Sequence, residues 1–202
     1  MAENTVDNPF FARLWASMST HEPESVRQLR RENLAGLSGR VLEVGAGTGR
    51  NVPHYPPGTN VTYTEPDPHM ADRLRARGKS VVPATVQHLP FADDSFDTVV
   101  STLVLCSVPD VPAALAEIRR VLAPGGRLLF IEHVRGEPGT PLERWQNRLN
   151  RPWRAVARGC NCNRDLLAEL EASDFAPEGV RCGRESFMPP LLRRLARGTA
   201  AC

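Results

Sequence analysis

The chain has no long hydrophobic run and little net charge. Its 202 residues contain no stretch of 18 consecutive apolar residues, and the formal net charge is only +2. The first absence excludes the usual signature of a transmembrane helix. The second gives no support to nucleic-acid binding through bulk charge. Residues 1–5 also lack the basic and apolar segments of a secretory signal peptide. We therefore expect no membrane span, no nucleic-acid partner and a cytoplasmic location.

The cysteine pattern gives no sign of a disulfide framework. Five cysteines are an odd number for a chain of this size, and we expect reduced thiols. Cys160 and Cys162 are separated by one residue, which is tighter than the usual C-x-x-C zinc pair. No second pair of cysteine or histidine ligands follows them along the chain. The sequence therefore predicts that no metal is bound.

Arginine is concentrated in one segment. Between Arg135 and Arg158 there are six arginines and two glutamates. The first interpretation is a solvated face of an arginine-rich helix. The alternatives are a surface for an acidic substrate, an anionic membrane or a partner protein.

The most informative segment joins an apolar run to three alternating glycines. The run Val41–Val44 contains three apolar residues and Glu43, and glycines follow at positions 45, 47 and 49. Glycine allows a tight turn with positive φ and a close approach of the backbone to a ligand. A second apolar run, residues 61–64, ends directly before Glu65. A strand, a glycine turn and a carboxylate after the next strand are typical of nucleoside binding, with the carboxylate on the ribose hydroxyls.

The glycine spacing separates two classes of cofactor. Dinucleotide-binding turns favour G-x-G-x-x-G, whereas here the third glycine is at 49 and position 50 is Arg. Glu43, two residues before the first glycine, has no role beside a pyrophosphate but suits a cation. The segment 43–49 resembles motif I of the class I S-adenosylmethionine (SAM)-dependent methyltransferases. The remaining alternative is an ordinary glycine-rich turn.

Apolar runs and helical patterns alternate along the chain. Continuous apolar runs separated by helices predict an α/β fold, in which a mostly parallel sheet is covered on both faces. The predicted strands are 40–44, 61–65, 80–83, 96–102 and 127–132, with a last pair at 179–184 and 195–201. The predicted helices are 24–34, 68–77, 113–122, 141–158 and 165–172, with a further helical segment in residues 9–22.

Two more segments extend the resemblance to class I methyltransferases. Residues 88–97 resemble the LPF-x-D-x-S-F-D signature of enzymes that methylate small molecules, and residues 120–126 resemble R-V-L-x-P-G-G. The resemblance implies a Rossmann-like, mostly parallel seven-stranded sheet and one domain over residues 1–202. Within it we expect an N-terminal helical lid at 1–38, a SAM-binding core at 39–135 and a substrate-side part at 136–202. It also implies SAM as cofactor, S-adenosylhomocysteine as product and no metal.

A narrower resemblance covers most of residues 10–200. The segments 55–58, 102–108, 132–134 and 159–161 are similar to the methyltransferase-like group that includes the microsomal alkyl thiol methyltransferases. The animal members of that group carry an N-terminal hydrophobic membrane segment, so a soluble relative is implied here. The resemblance implies in-line S-methylation of a small thiol, such as a secondary metabolite. The alternatives are O- or N-methylation of a natural product, quinone or lipid headgroup, and a SAM-binding module without activity.

The resemblance also assigns candidate site residues. The predicted cofactor-binding residues are Glu43, Gly45, Ala46, Gly47, Glu65, Pro66, Thr85, Val86, Thr102 and Leu103. The predicted substrate-binding residues are Trp15, Trp145 and Asn161. His133, at the end of the fifth strand, is the candidate general base or thiol-orienting group. Its alternative interpretation is a core histidine hydrogen-bonded to backbone. The only partner implied is a small-molecule methyl acceptor, and the sequence does not indicate an oligomeric state.

Overall fold

One seven-stranded sheet organises the chain. The computed structural model describes residues 22–185 and 188–202, so residues 1–21 of the predicted lid lie outside the described part. The strand order is β3-β2-β1-β4-β5-β7-β6. The five strands from β3 to β5 are parallel, whereas β7 is antiparallel to both β5 and β6. The predicted mostly parallel seven-stranded sheet is therefore confirmed. The strands are β1 (Arg40–Val44), β2 (Asn60–Thr64), β3 (Val81–Val82), β4 (Phe96–Thr102), β5 (Leu122–His133), β6 (Ala176–Arg184) and β7 (Arg194–Ala201).

Five helices accompany these strands in the described ranges. They are α1 (Glu24–Leu34), α2 (Pro68–Arg75), α3 (Val111–Val121), α4 (Pro141–Val156) and α5 (Leu166–Glu171). The last four helices are each preceded by an N-cap residue whose side chain accepts backbone N–H groups of the first turn. These caps are Asp67, Asp110, Thr140 and Asp165. Such caps satisfy donors that have no partner within the helix. No described helix combines the length and apolar character needed to cross a bilayer.

The start of β5 differs from the prediction. We expected Pro124-Gly125-Gly126 to form a turn before a strand that starts at residue 127. Instead β5 begins at Leu122, which pairs with Phe96, and the register shifts before Thr98 pairs with Arg127. The glycines let the chain bulge and still rejoin the ladder, with Gly125 at φ 76°. The helices predicted at 68–77 and 141–158 end at Arg75 and Val156, slightly earlier than expected.

Both faces of the sheet are buried. On one face the fully buried Val99 and Phe130 belong to a cluster with Ile118 of α3 and Leu170 of α5. On the other face Val100 of β4 belongs to a cluster with Leu34 of α1, Val41 and Leu129. Helices on both faces leave the ends of the parallel strands as the place where a site can open.

Arg120 joins the two signature segments of the sequence. Its guanidinium donates to the carbonyl of Leu89 at 2.9 Å and to that of Phe91 at 2.8 Å. It also pairs with Asp93 at 2.8 Å and with Glu117 of the same helix at 2.8 Å. The arginine of segment 120–126 therefore holds the loop of segment 88–97 against α3, which gives a physical reason for both motifs in one chain.

Loss of these bonds should lower the free energy of unfolding. We expect Arg120→Gln to destabilise the fold by about 1–3 kcal/mol, because carbonyls and carboxylates lose a charged donor. Urea unfolding at neutral pH measures the change. The control is Arg119→Gln, whose side chain is exposed on the same helix and should change stability by less than about 0.5 kcal/mol. Equal effects of the two variants would contradict this role for Arg120.

Candidate active site

The glycine turn lies at the carboxyl end of β1. Gly45 has φ 56°, and a Cβ there would meet both methyl carbons of Val104 at 2.8 Å, so no side chain fits. Gly47 has φ 55°, but the nearest atom to a Cβ there would be Met70 Sδ at 3.9 Å among the described residues. The turn is thus closed at Gly45 and open at Gly47. A ligand can approach the backbone on the open side.

Glu65 follows β2 and reaches back to this turn. Its Oε2 accepts the N–H of Gly47 at 2.7 Å, and its Oε1 accepts the N–H of Asp67 at 2.9 Å. Glu65 is 6% exposed, and burial raises the pKa of its carboxyl. Each oxygen keeps a further lone pair that can accept a hydroxyl proton. The carboxylate of Glu65 therefore lies beside the glycine turn, and its contact with a ribose stays a prediction.

Glu43 is held from beneath the turn. Its Oε1 accepts from Asn51 Nδ2 at 3.0 Å, and its Oε2 accepts from the Tyr55 hydroxyl at 2.8 Å. The side-chain oxygen Oδ1 of Asn51 in turn accepts a hydrogen bond from Arg30 of α1 at 2.7 Å. Burial raises the pKa of Glu43 to about 7. The residues that hold Glu43 were not predicted. Tyr55 alone had a signal, since it opens one of the family-like segments.

The segment after β4 is shaped by a second buried carboxylate. Glu132 is fully buried, and its Oε1 accepts from Ser101 Oγ at 2.8 Å and from the N–H groups of Val104 at 2.9 Å and Leu105 at 3.1 Å. Between these anchors Leu103 has φ 59°, a conformation that costs a non-glycine residue about 1–3 kcal/mol. Burial raises the pKa of Glu132. Sequence reasoning did not identify Glu132 as a site residue, although a carboxylate inside an apolar strand was a signal.

The other predicted cofactor residues lie along the same edge of the sheet. Thr102 ends β4, and its hydroxyl oxygen accepts from Asn51 Nδ2 at 3.1 Å. The ends of β2 and β3 are joined, since the N–H of Glu65 donates to the carbonyl of Val82 at 3.1 Å. Thr85 is half-buried, whereas the Val86 side chain belongs to the core. Contacts of these residues, and of Ala46, Pro66 and Leu103, with a cofactor stay predictions.

His133 lies in a buried cluster with two cysteines. Its Nε2 is 3.0 Å from Cys160 Sγ, and the indole Nε1 of Trp153 donates to the same sulfur at 3.3 Å. One donor atom each from Cys106, His133 and Cys160 lie within 4.8 Å of one another. A hydrogen bond from Cys106 and another from His133 lower the pKa of Cys160, while the same contact and burial raise the pKa of Cys106.

His133 has little access to an acceptor in this arrangement. It is 3% exposed, and its Nδ1 is buried without a hydrogen-bond partner among the described residues. The imidazole therefore has no hydrogen bond to the backbone among the described residues, and its Nε2 contacts the sulfur of Cys160. Its role as a general base stays a prediction. The sequence does not predict that a cysteine lies next to His133, because 27 positions separate His133 from Cys160.

Two of the three predicted substrate residues lie in the described part of the chain. Trp15 lies outside the described residues. Trp145 is 56% exposed on α4. Asn161 donates from its backbone N–H to the Cys106 carbonyl at 2.8 Å and from Nδ2 to the same carbonyl at 3.3 Å. Asn161 therefore fastens the loop after α4 to the segment after β4, and acceptor contacts of these residues stay predictions.

The same loop reaches the cofactor side of the sheet. Arg158 has φ 50° and donates to Asp67 Oδ2 at 2.5 Å. Asp67 caps α2 with its other oxygen and lies two residues after Glu65. One short segment, residues 157–162, thus contacts both Asp67 after β2 and the histidine–cysteine cluster.

Comparison with known proteins gives the class of this fold and site. The family profile described as a methyltransferase domain matches residues 42–130. The chain is 36% identical to human thiol S-methyltransferase TMT1B over 206 residues, covering 94% of this chain and 82% of that protein. It is 39% identical to human thiol S-methyltransferase TMT1A over 156 residues, covering 72% of this chain and 64% of that protein. A SAM-dependent methyltransferase structure from Thermotoga maritima superposes with TM-score 0.63 and 24% identity, covering 85% of this chain and 87% of that one.

The sheet order, the glycine turn and the carboxylate after β2 define a SAM-dependent methyltransferase. Within that class, the chain belongs to the family that includes the thiol S-methyltransferases TMT1A and TMT1B.

The buried Glu43 should give stability a specific pH dependence. Its pKa is raised from 4.5 to about 7, so the folded state holds a proton that the unfolded state loses between these values. Stability should therefore fall as pH rises through this window, by up to about 1.4 kcal/mol per pH unit. Glu43→Gln should remove this slope, measured as the difference between wild-type and variant unfolding free energies from pH 5 to 8.

The control for this prediction is Glu117→Gln. The hydrogen bond from Arg120 lowers the pKa of Glu117, so both folded and unfolded states are ionised above about pH 5.5. The difference between wild type and this control should stay flat over most of the window. A flat difference for Glu43→Gln as well would show that Glu43 does not carry the slope.

Proposed function

We propose that this protein transfers the methyl group of SAM to the sulfur of a small thiol by direct in-line displacement. The observation that supports this most strongly is the similarity to thiol S-methyltransferase TMT1B over 94% of the chain. We further propose a cytoplasmic location, which the five cysteines without a disulfide support. In this proposal residues 1–202 form one domain, with residues 39–135 holding the cofactor and residues 136–202 the acceptor.

The described residues fit this cofactor. The open side of Gly47 leaves room for the methionine part against the backbone of residues 45–47, and Glu65 accepts from the ribose hydroxyls. Glu43 keeps the turn in shape through Asn51 and Tyr55 rather than by direct contact. The remaining proposed contacts are Pro66, Thr85 and Val86 around the adenine, and Thr102 and Leu103 beside the sulfonium.

The chemistry asks little of the protein beyond position. The bound cofactor supplies an electrophilic methyl group on a sulfonium. A thiol with pKa of about 8.5 ionises with little help, unlike an alcohol. The protein's contribution is to align the sulfur and to exclude water. Leu103, held in its strained conformation at the end of β4, fixes the wall that faces this line of transfer.

The acceptor class is tested by offering labelled SAM with matched small thiols, phenols and amines. We expect label on thiols alone, with S-adenosylhomocysteine formed in equal amount. Label on phenols or amines alone would overturn S-methylation and favour an O- or N-methyltransferase. Tight SAM binding with no transfer to any class would instead support a SAM-binding module.

Glu65 provides the test of the cofactor site. We expect Glu65→Ala to weaken SAM binding by about 10- to 100-fold, since hydrogen bonds to a carboxylate contribute about 1.5–3 kcal/mol. Calorimetric titration, run below the unfolding temperature of both proteins, measures the change. Glu178→Ala, on the exposed edge strand β6, is the control and should bind SAM as the wild type does. Unchanged affinity of Glu65→Ala would remove Glu65 from the site.

A further inference from the structure

We propose that Cys106, His133 and Cys160 form a binding site for a soft divalent metal ion, with zinc as the fitting occupant. The three side chains come from three segments: the turn after β4, the end of β5 and the loop after α4. Their donor atoms lie within 4.8 Å of one another, and all three residues are buried. Thiolate and imidazole are the ligands that zinc prefers in proteins.

The spacing of the donor atoms suits tetrahedral coordination. With zinc–sulfur bonds of about 2.3 Å and zinc–nitrogen bonds of about 2.0 Å, neighbouring ligand atoms lie about 3.5–3.8 Å apart. His133 Nε2 and Cys160 Sγ are 3.0 Å apart, slightly closer than this, and Cys106 Sγ lies within 4.8 Å of both. Zinc coordination therefore requires the nitrogen–sulfur pair to open by about 0.5 Å and the Cys106 sulfur to lie about 3.5–3.8 Å from both.

Outer groups already support the two sulfur atoms. The Trp153 indole N–H points at Cys160 Sγ at 3.3 Å, and the Ser107 hydroxyl lies 3.6 Å from Cys106 Sγ. Asn161 fixes the loop that carries Cys160 to the carbonyl of Cys106. Hydrogen bonds of this kind hold metal ligands in position before the ion binds. The expectation of no metal considered only ligands close in sequence, and the fold supplies the third ligand from β5.

Three protein ligands leave a fourth coordination position, which a water molecule or another small ligand fills in zinc sites of this composition, whereas purely structural sites have four protein ligands. All three side chains are buried, so a ligand at the fourth position has to be small.

The experiment measures metal in the whole protein, purified without chelator. We expect elemental analysis to find about one zinc ion per chain. Replacing it with Co²⁺ should produce a near-ultraviolet thiolate-to-cobalt absorption band. Both signals should be lost in Cys160→Ser and strongly reduced in Cys106→Ser. Cys162→Ser is the matched control, because Cys162 is buried in the same cluster but is not one of the three ligands.

The outcomes separate this proposal from the proposed function. A wild-type protein that gives no cobalt–thiolate band, or variants that keep the metal of the wild type, would overturn the site. That readout needs no turnover, and SAM affinity measured on the same preparations reports the cofactor site independently.

Discussion

The edge of the sheet that carries the site depends on one buried carboxylate. Glu132 is fully enclosed at the end of β5, and one of its oxygens accepts three hydrogen bonds, one from Ser101 in β4 and two from the segment that leaves β4. Without an acceptor there, two backbone N–H groups would be buried with no partner, at a cost of about 1–3 kcal/mol each. The same contacts keep Leu103 in a conformation that its side chain opposes. The carboxylate therefore fixes the direction in which the chain leaves the sheet.

The path of the chain after β4 shapes both the glycine turn and the histidine–cysteine cluster. Val104, held by Glu132, packs where a side chain at Gly45 would lie, so it closes one end of the glycine turn. The next residues place Cys106 beside His133, which directly follows Glu132 in β5. Burying a carboxyl group costs free energy unless it is hydrogen-bonded, and three hydrogen bonds to Oε1 offset part of that cost here. The same bonds fix the segment that lies between the glycine turn and the histidine–cysteine cluster.

The features that the sequence predicted are local ones. The glycine turn, Glu65 and the bounds of α1, β1 and β4 follow from short patterns whose physical causes lie within a few residues. The sheet order could be expected because a family resemblance joined those patterns. Arg120 is an intermediate case, since its motif was visible but its bonds to residues 89 and 91 were not.

What the sequence could not predict depends on distant segments meeting. The loop after β1 supplies Asn51 and Tyr55, which donate to the two oxygens of Glu43, and Arg30 of α1 donates to the side-chain oxygen of Asn51. Likewise, the prediction of no metal at Cys160 depended on its spacing from Cys162. In the structure the sulfur of Cys160 contacts His133 of β5. Spacing rules for metal ligands describe sites built on one loop. They carry no information on a site assembled from three strand and helix ends.

The loop after α4 couples the two sides of the site. Through Arg158 it pairs with Asp67, which lies beside the ribose-binding edge, and through Cys160 it enters the cluster around His133. The arginine side chain is 18% exposed and the aspartate 1%, so this ion pair is largely shielded from solvent. The six residues 157–162 therefore hold the first turn of α2 and the cluster around His133 to the same short stretch of backbone.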